Sequence, residues 1–84
     1  MAIKFSDEAW EDYLYRQKTD KSVLKRINIL LRDVQRSPFA GIGKPEPLKH
    51  HLAGFWSRRI DDEHRLVYAV QEGCVLVAQC RYHY

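Results

Sequence analysis

The sequence predicts an α+β domain in which a two-helix hairpin packs on one face of a small antiparallel sheet. Three observations carry this. Two segments with apolar residues at helical spacing occupy the chain up to residue 36. Three short segments rich in β-branched and aromatic residues follow residue 53, separated by acidic and glycine-containing turns. A length of 84 residues gives one domain (1–84) with two helices and one small sheet, and no room for a second domain or a dinucleotide-binding fold.

The elements follow in order. Residues 2–5 alternate apolar and polar and read as a short strand. Ser6 suits an N-cap, and Asp7 and Glu8 then sit in the first turn, where the helix dipole favours negative charge. Ala9, Trp10, Tyr13, Leu14 and Gln17 follow at helical spacing. Thr19-Asp20 is a break and a second cap. From Lys21 to Arg36, Val23, Leu24, Ile27, Leu30, Leu31 and Val34 fall on one face, and Lys21, Lys25, Arg32 and Arg36 lie elsewhere. Ser37-Pro38 ends this helix. Consecutive helices with so short a break form an antiparallel pair.

Residues 39–47 are the one long irregular stretch. Glu46 lies between Pro45 and Pro47, and a residue before proline is pushed to extended geometry. A solvated loop glutamate is the plain reading; a carboxylate presented by a stiff backbone is the functional one. Residues 48–52 suit a helical turn or a short strand. Strands are expected at 54–60, 64–70 and 74–82, joined by turns at 61–63 and 72–73 into an antiparallel meander. Trp56, Ile60, Leu66, Tyr68 and Val70 supply the sheet's share of the core.

Composition narrows the function classes. The net charge of +3 favours polyanionic partners. Cys74 and Cys80 are too few for a disulfide framework. On one regular strand they would share a face about 20 Å apart, so free thiols in a reducing cytoplasm are expected. No apolar run approaches the roughly 18 residues of a membrane span. Asp7 and Glu8 interrupt any signal-peptide pattern. The four histidines lack zinc spacing with the two cysteines, so neither a metal site nor a cofactor is expected.

The basic residues are the strongest local signal. Arg58, Arg59, Arg65 and Arg81 lie on or beside the meander, with Lys44 and Lys49 just before it. A three-residue turn after Ile60 would place Arg59 opposite Arg65, where two guanidiniums could hold one phosphate. Pairing of each with Asp61, Asp62 or Glu63 is the alternative. His50 and His51 read as surface residues. His83 sits beside two tyrosines in Arg81-Tyr82-His83-Tyr84 and could exchange a proton near neutral pH. Glu46 and His83 as base and acid, with an arginine clamp, form the minimum for RNA cleavage without a metal. Strand parity raises a question. A two-residue turn at 72–73 pairs Arg65 with Cys80 and puts Tyr82, not His83, on the arginine face. A longer turn, or a tail that leaves the strand, would change that.

Several stretches resemble the YoeB toxins of the RelE superfamily. They are Glu11-Asp12-Tyr13-Leu14-Tyr15, Gly43-Lys44-Pro45-Glu46-Pro47-Leu48-Lys49-His50, Gly54-Phe55-Trp56-Ser57-Arg58-Arg59-Ile60, Glu63-His64-Arg65-Leu66-Val67-Tyr68-Ala69-Val70 and Cys80-Arg81-Tyr82-His83-Tyr84. The resemblance implies a microbial-ribonuclease-like fold. It also implies a cytoplasmic endoribonuclease that cuts translated mRNA in the ribosomal A site, against ribosomal RNA. It implies neutralisation by a YefM-type antitoxin, operator DNA binding only through the toxin–antitoxin complex, and a tendency to homodimerise. Carried onto this chain, Glu46 resembles the general base, His83 the general acid and Arg65 the transition-state cation. Lys49 and Arg59 would support the phosphate, and Tyr84 would orient the scissile nucleotide. Lys44 and Arg81 add RNA-facing charge. Ile42 departs from the pattern, which has a basic residue there. The competing reading is a non-catalytic module that acts by occupying the ribosome or RNA.

Overall fold

The computed structural model describes residues 1–82. Its elements are β1 (Ala2–Phe5), α1 (Asp7–Thr19), α2 (Lys21–Arg36), β2 (Glu46–Pro47), a 3-10 turn (His50–Leu52), β3 (Trp56–Arg59), β4 (Arg65–Gln71) and β5 (Cys74–Gln79). The strands form one five-stranded sheet in the order β1-β5-β4-β3-β2. The helix pair covers one face, as the periodicity predicts.

The caps explain the tight helix pair. Ser6 Oγ accepts the Ala9 N–H and donates to the Ala78 carbonyl, each at 3.1 Å, so the cap of α1 also ties it to the end of β5. Asp20 serves both helices. Its N–H donates to the Arg16 carbonyl, and its Oδ1 accepts the N–H groups of Ser22 and Val23. The Val23 N–H and the Ser22 hydroxyl hold the Asp20 carboxyl below the usual carboxylate range. Across the pair, Tyr13 Oη donates to Asn28 Oδ1 at 2.7 Å.

Ile27, Leu30, Leu31 and Val34 of α2 meet Leu66, Tyr68, Val75 and Val77 of the central strands. Full burial of such a side chain is worth roughly 1.5–3 kcal/mol, so this layer dominates the fold's stability. Of the sheet residues expected in the core, Ile60, Leu66 and Tyr68 are buried, and Trp56 and Val70 pack against it half-buried.

Three features differ from the expectation. First, β1 pairs with β5 in parallel, Ala2 with Cys74 through Phe5 with Val77, so the sheet is mixed. Hairpin turns fix direction within the meander only. β1 is joined to β5 through both helices and strands β2–β4, so no hairpin sets their relative direction. Second, residues 46–47 leave the expected loop and pair with β3, Glu46 with Ser57 and Pro47 with Trp56. Prolines suit an edge strand, where no ladder N–H is missed.

Third, β5 carries a bulge. Tyr68 pairs with Val77 but Val67 pairs with Gln79, which leaves Ala78 extra. The turn at 72–73 has two residues as read, yet the bulge reverses strand parity beyond it. Val75 and Val77 face the core, and so does Cys80, three residues on. Cys74 is on the opposite face, so the two cysteines do not share one. β5 ends at Gln79 instead of residue 82, and the chain bends through 80–82.

Candidate active site

Glu46 sits in a pinned frame. Gly43, three residues earlier, accepts the Arg59 N–H at 2.7 Å; Leu48, two residues later, donates to the Phe55 carbonyl at 2.9 Å. The strap therefore runs along the free edge of β3 on both sides of Pro45-Glu46-Pro47. Gly43 is required there. Its φ is +79°, and a Cβ would lie 2.8 Å from Leu30 Cδ2 and 3.2 Å from the Arg59 carbonyl. The Glu46 side chain is exposed.

Register places the predicted residues. Residues directly opposite in an antiparallel pair share a face. One row across the face away from the helices is Glu46, Ser57, Val67 and Gln79. The next row holds Arg59 opposite Arg65, joined by the three-residue turn expected at 61–63. Opposite Cβ atoms lie about 5 Å apart and diagonal neighbours about 7–8 Å apart, so Glu46 is diagonal to Arg59 and within a long side chain's reach. Lys49 and Lys44 lie exposed on either side of Glu46. A groove of about 560 Å³ runs along residues 46–52 and includes Lys49.

Like charges directly opposite destabilise a sheet unless something neutralises them. Among the described residues, Arg65 Nη1 donates to the carbonyls of Asp61 (2.7 Å) and His64 (3.0 Å). Among the described residues, no ion pair joins Arg59, Arg65 or Arg81 to Asp61, Asp62 or Glu63. Asp61 is occupied otherwise. Burial alone would raise its carboxyl, but N–H donors from Glu63 and His64 bring it below the usual range. On the face away from the helices the Arg59–Arg65 row thus has no carboxylate partner among the described residues, and Glu46 lies diagonal to it.

Arg58 belongs to a different system. It is fully buried on the helix face, paired with Asp33 at 2.5 Å. It also donates to the carbonyls of Ser37, Ala40 and Ile42 and to Tyr68 Oη. These bonds clamp loop 37–42 onto α2 and the sheet. Arg81 lies with its guanidinium 3.7 Å from the Tyr15 ring centroid, against α1. His83 and Tyr84 lie outside the described residues. A residue absent from the predicted set, His64, is buried and accepts the Tyr82 N–H on Nδ1 at 2.7 Å. A further groove of about 400 Å³, on the outer side of α2, contains Ile42 and none of the predicted site residues. Among the described residues, no helix is long and apolar enough to cross a membrane, and no group of three or more His, Cys, Asp or Glu residues could hold a metal.

The whole chain is similar to known proteins. A family model described as the YoeB-like toxin of bacterial type II toxin–antitoxin systems matches residues 5–84. The toxin YoeB of Escherichia coli strain K12 is 62% identical over 84 residues, covering 100% of both chains. The YoeB dimer from Staphylococcus aureus superposes with a TM-score of 0.93 at 50% identity, over 100% of this chain and 98% of that one. YoeB in the heterotetrameric YoeB–YefM complex from the same organism gives 0.92 at 50% identity, again over 100% and 98%.

Proposed function

This chain belongs to the YoeB-like toxins of bacterial type II toxin–antitoxin systems, and we propose that it is a ribosome-dependent endoribonuclease that cuts translated mRNA in the A site. The observation that carries the reading is the sheet face away from the helices, where the Arg59–Arg65 row lies diagonal to the exposed edge carboxylate of Glu46.

In this mechanism Glu46 takes the proton of a ribose 2′-OH. The 2′-oxygen forms a bond to the adjacent phosphorus as the bond from phosphorus to the 5′-oxygen breaks. His83 gives its proton to that leaving oxygen. The products are a 2′,3′-cyclic phosphate and a 5′-OH. Arg65 stabilises charge on the phosphate as it builds, where preorganised donors act most strongly. Lys49 and Arg59 hold the phosphate and backbone, Tyr84 orients the scissile nucleotide, and Lys44 and Arg81 add contacts to RNA at the margins. Acid, base and cations are all protein groups, so no step calls for a metal.

The partners follow from the same reading. A YefM-type antitoxin neutralises the chain, as the YoeB–YefM complex of Staphylococcus aureus suggests. Operator DNA is bound only through that complex, a second copy forms a homodimer, and action on ribosomes places the chain in the cytoplasm.

The test is the chemistry of the cut ends on programmed ribosomes. Cyclic or 3′-phosphate and 5′-OH ends are expected from the parent. Glu46→Ala and His83→Ala should each slow cleavage by about 10²–10⁴-fold while ribosome binding is retained. Unchanged cleavage in both variants would overturn the assignment. Growth arrest without cut message would favour action by occupancy.

A further inference from the structure

The bend at 80–82 ends on a fixed corner. Tyr82 has φ +66°, a left-handed conformation that bulky residues avoid. Such a conformation persists where its neighbours over-determine it. Here they do. The Tyr82 N–H donates to His64 Nδ1 at 2.7 Å, and its carbonyl accepts the Arg65 N–H at 2.9 Å. Gln79 Nε2 donates to the carbonyls of Arg81 at 2.8 Å and Tyr82 at 3.3 Å. His64, just before β4, and Arg65, its first residue, thus grip both backbone polar groups of Tyr82.

His64 is itself held rigidly. Its N–H donates to Asp61 Oδ1 at 2.7 Å, and its carbonyl accepts the Ile60 N–H at 3.0 Å. The residue is only 8% exposed, so its ring has little freedom to turn. With Nδ1 accepting, the neutral ring carries its proton on Nε2, which lies 3.8 Å from a Glu63 carboxylate oxygen.

We propose that His64 is a positioning residue whose unprotonated Nδ1 sets the corner from which His83-Tyr84 departs. This rests on His83 acting as the acid, as proposed above. Residue 83 begins one peptide bond beyond Tyr82, so an error at the corner passes directly to the acid. His64 needs no contact with RNA for this. It ties the turn that pairs Arg59 with Arg65 to Tyr82, the residue that precedes the proposed acid.

Substitutions at His64 test the acceptor. His64→Asn presents an amide oxygen near the Nδ1 position, His64→Gln presents one near Nε2, and His64→Leu presents none. The measurements are single-turnover cleavage on programmed ribosomes, ribosome affinity, and amide hydrogen exchange of Tyr82 in the full chain. His64→Leu and His64→Gln should cut about 100-fold more slowly at unchanged affinity, the loss expected from a misplacement of about 1 Å. His64→Asn should stay close to the parent rate. The Tyr82 amide should be protected in the parent and in His64→Asn, and should exchange freely in His64→Leu. Parent-like cleavage by His64→Leu, or an unprotected Tyr82 amide in the parent, would overturn the proposal. A parent chain that protects the Tyr82 amide but cuts no RNA would support the clamp and sink the ribonuclease reading.

Discussion

Arg58 and Arg59 are neighbours on β3, yet they belong to opposite sides of the molecule. Arg58 points to the helices, is fully buried, and spends its donors on one carboxylate, three carbonyls and a phenol. Arg59 points to the open face, is exposed, and lies opposite a second arginine. A strand turns successive side chains through the sheet, so one residue of spacing separates a buried keystone from a candidate ligand-binding cation. Residue type alone says nothing about which is which. What decides is the supply of carboxylates: the helix face brings Asp33, with the carbonyls of loop 37–42, to the guanidinium of Arg58, while on the other face no carboxylate pairs with Arg59 or Arg65 among the described residues.

The largest expected effect breaks the buried side. Arg58→Met removes a donor from Asp33 and from three loop carbonyls, although Tyr68 Oη keeps its bond to the Pro38 carbonyl. Loss of the partner buried on one side of an ion pair sits at the low end of the range for buried pairs, about 3 kcal/mol. For a domain of this size each kcal/mol moves the melting point by roughly 4–8 °C, so a fall of at least about 12 °C is expected in thermal unfolding followed by circular dichroism. A fall below about 4 °C would mean that loop 37–42 is held by something else.

Arg65→Ala and Arg59→Ala probe the other side. Loss of one preorganised donor to a developing anion typically costs 10²–10³-fold in rate, about 2.7–4 kcal/mol, and Arg65→Ala should approach that in cleavage assays. Arg59→Ala should lose less. Its folding stability should stay within about 0.5 kcal/mol of the parent, the usual range for exposed sites. If Arg59→Ala melted as low as Arg58→Met, the division of the two faces would fail.

A smaller effect appears with acid. The hydrogen bond from Arg58, and then the N–H of Ile42, hold the Asp33 carboxyl below the usual carboxylate range. A depressed folded value stabilises the fold fully above the ordinary carboxylate pKa of about 4, and the contribution is lost as pH falls through the lowered value. Stability of the parent should therefore decline in acid more steeply than that of Asp33→Asn, which should already be weaker at neutral pH. Parallel pH–stability curves for the two proteins would remove the Arg58–Asp33 pair from the account.

Much of this was legible in the residues. The helix pair follows from Val23, Leu24, Ile27, Leu30, Leu31 and Val34 and from Asp20 as a shared cap. The Arg59–Arg65 row follows from the three-residue turn, because a hairpin's loop length sets its register. The burial of Arg58 was also within reach. Trp56 and Ile60 are both expected in the core, and a period of two puts Arg58 between them on the same face. What local pattern could not supply is long-range. The pairing of β1 with β5 joins residues about seventy positions apart, and no hairpin dictates its direction. The bulge at Ala78 has no glycine to mark it. It arises where β5 must pair with β4 and still bring Cys80 into the core under α1.

That bulge yields the smallest and most discriminating prediction. A regular strand would present Cys74 and Cys80 alike. With Ala78 extra, Cys74 lies half-exposed on the open side, whereas Cys80 is buried and donates through Sγ to the Ala9 carbonyl at 3.4 Å. Burial first, and the nearby Asp12 carboxylate second, push the Cys80 thiol up to about 12. The thiolate is the reactive species, so at pH 8 only about one Cys80 in 10⁴ would be ionised even if reagent could reach it. A soluble thiol reagent should titrate one equivalent quickly in native buffer, lost in Cys74→Ser. The second should react only at the rate of unfolding. Two equally fast thiols in the native protein would mean that β5 runs without the bulge. Cys80 would then share the face of Cys74, Arg65 would return to a position opposite it, and the corner at Tyr82 would lose its origin.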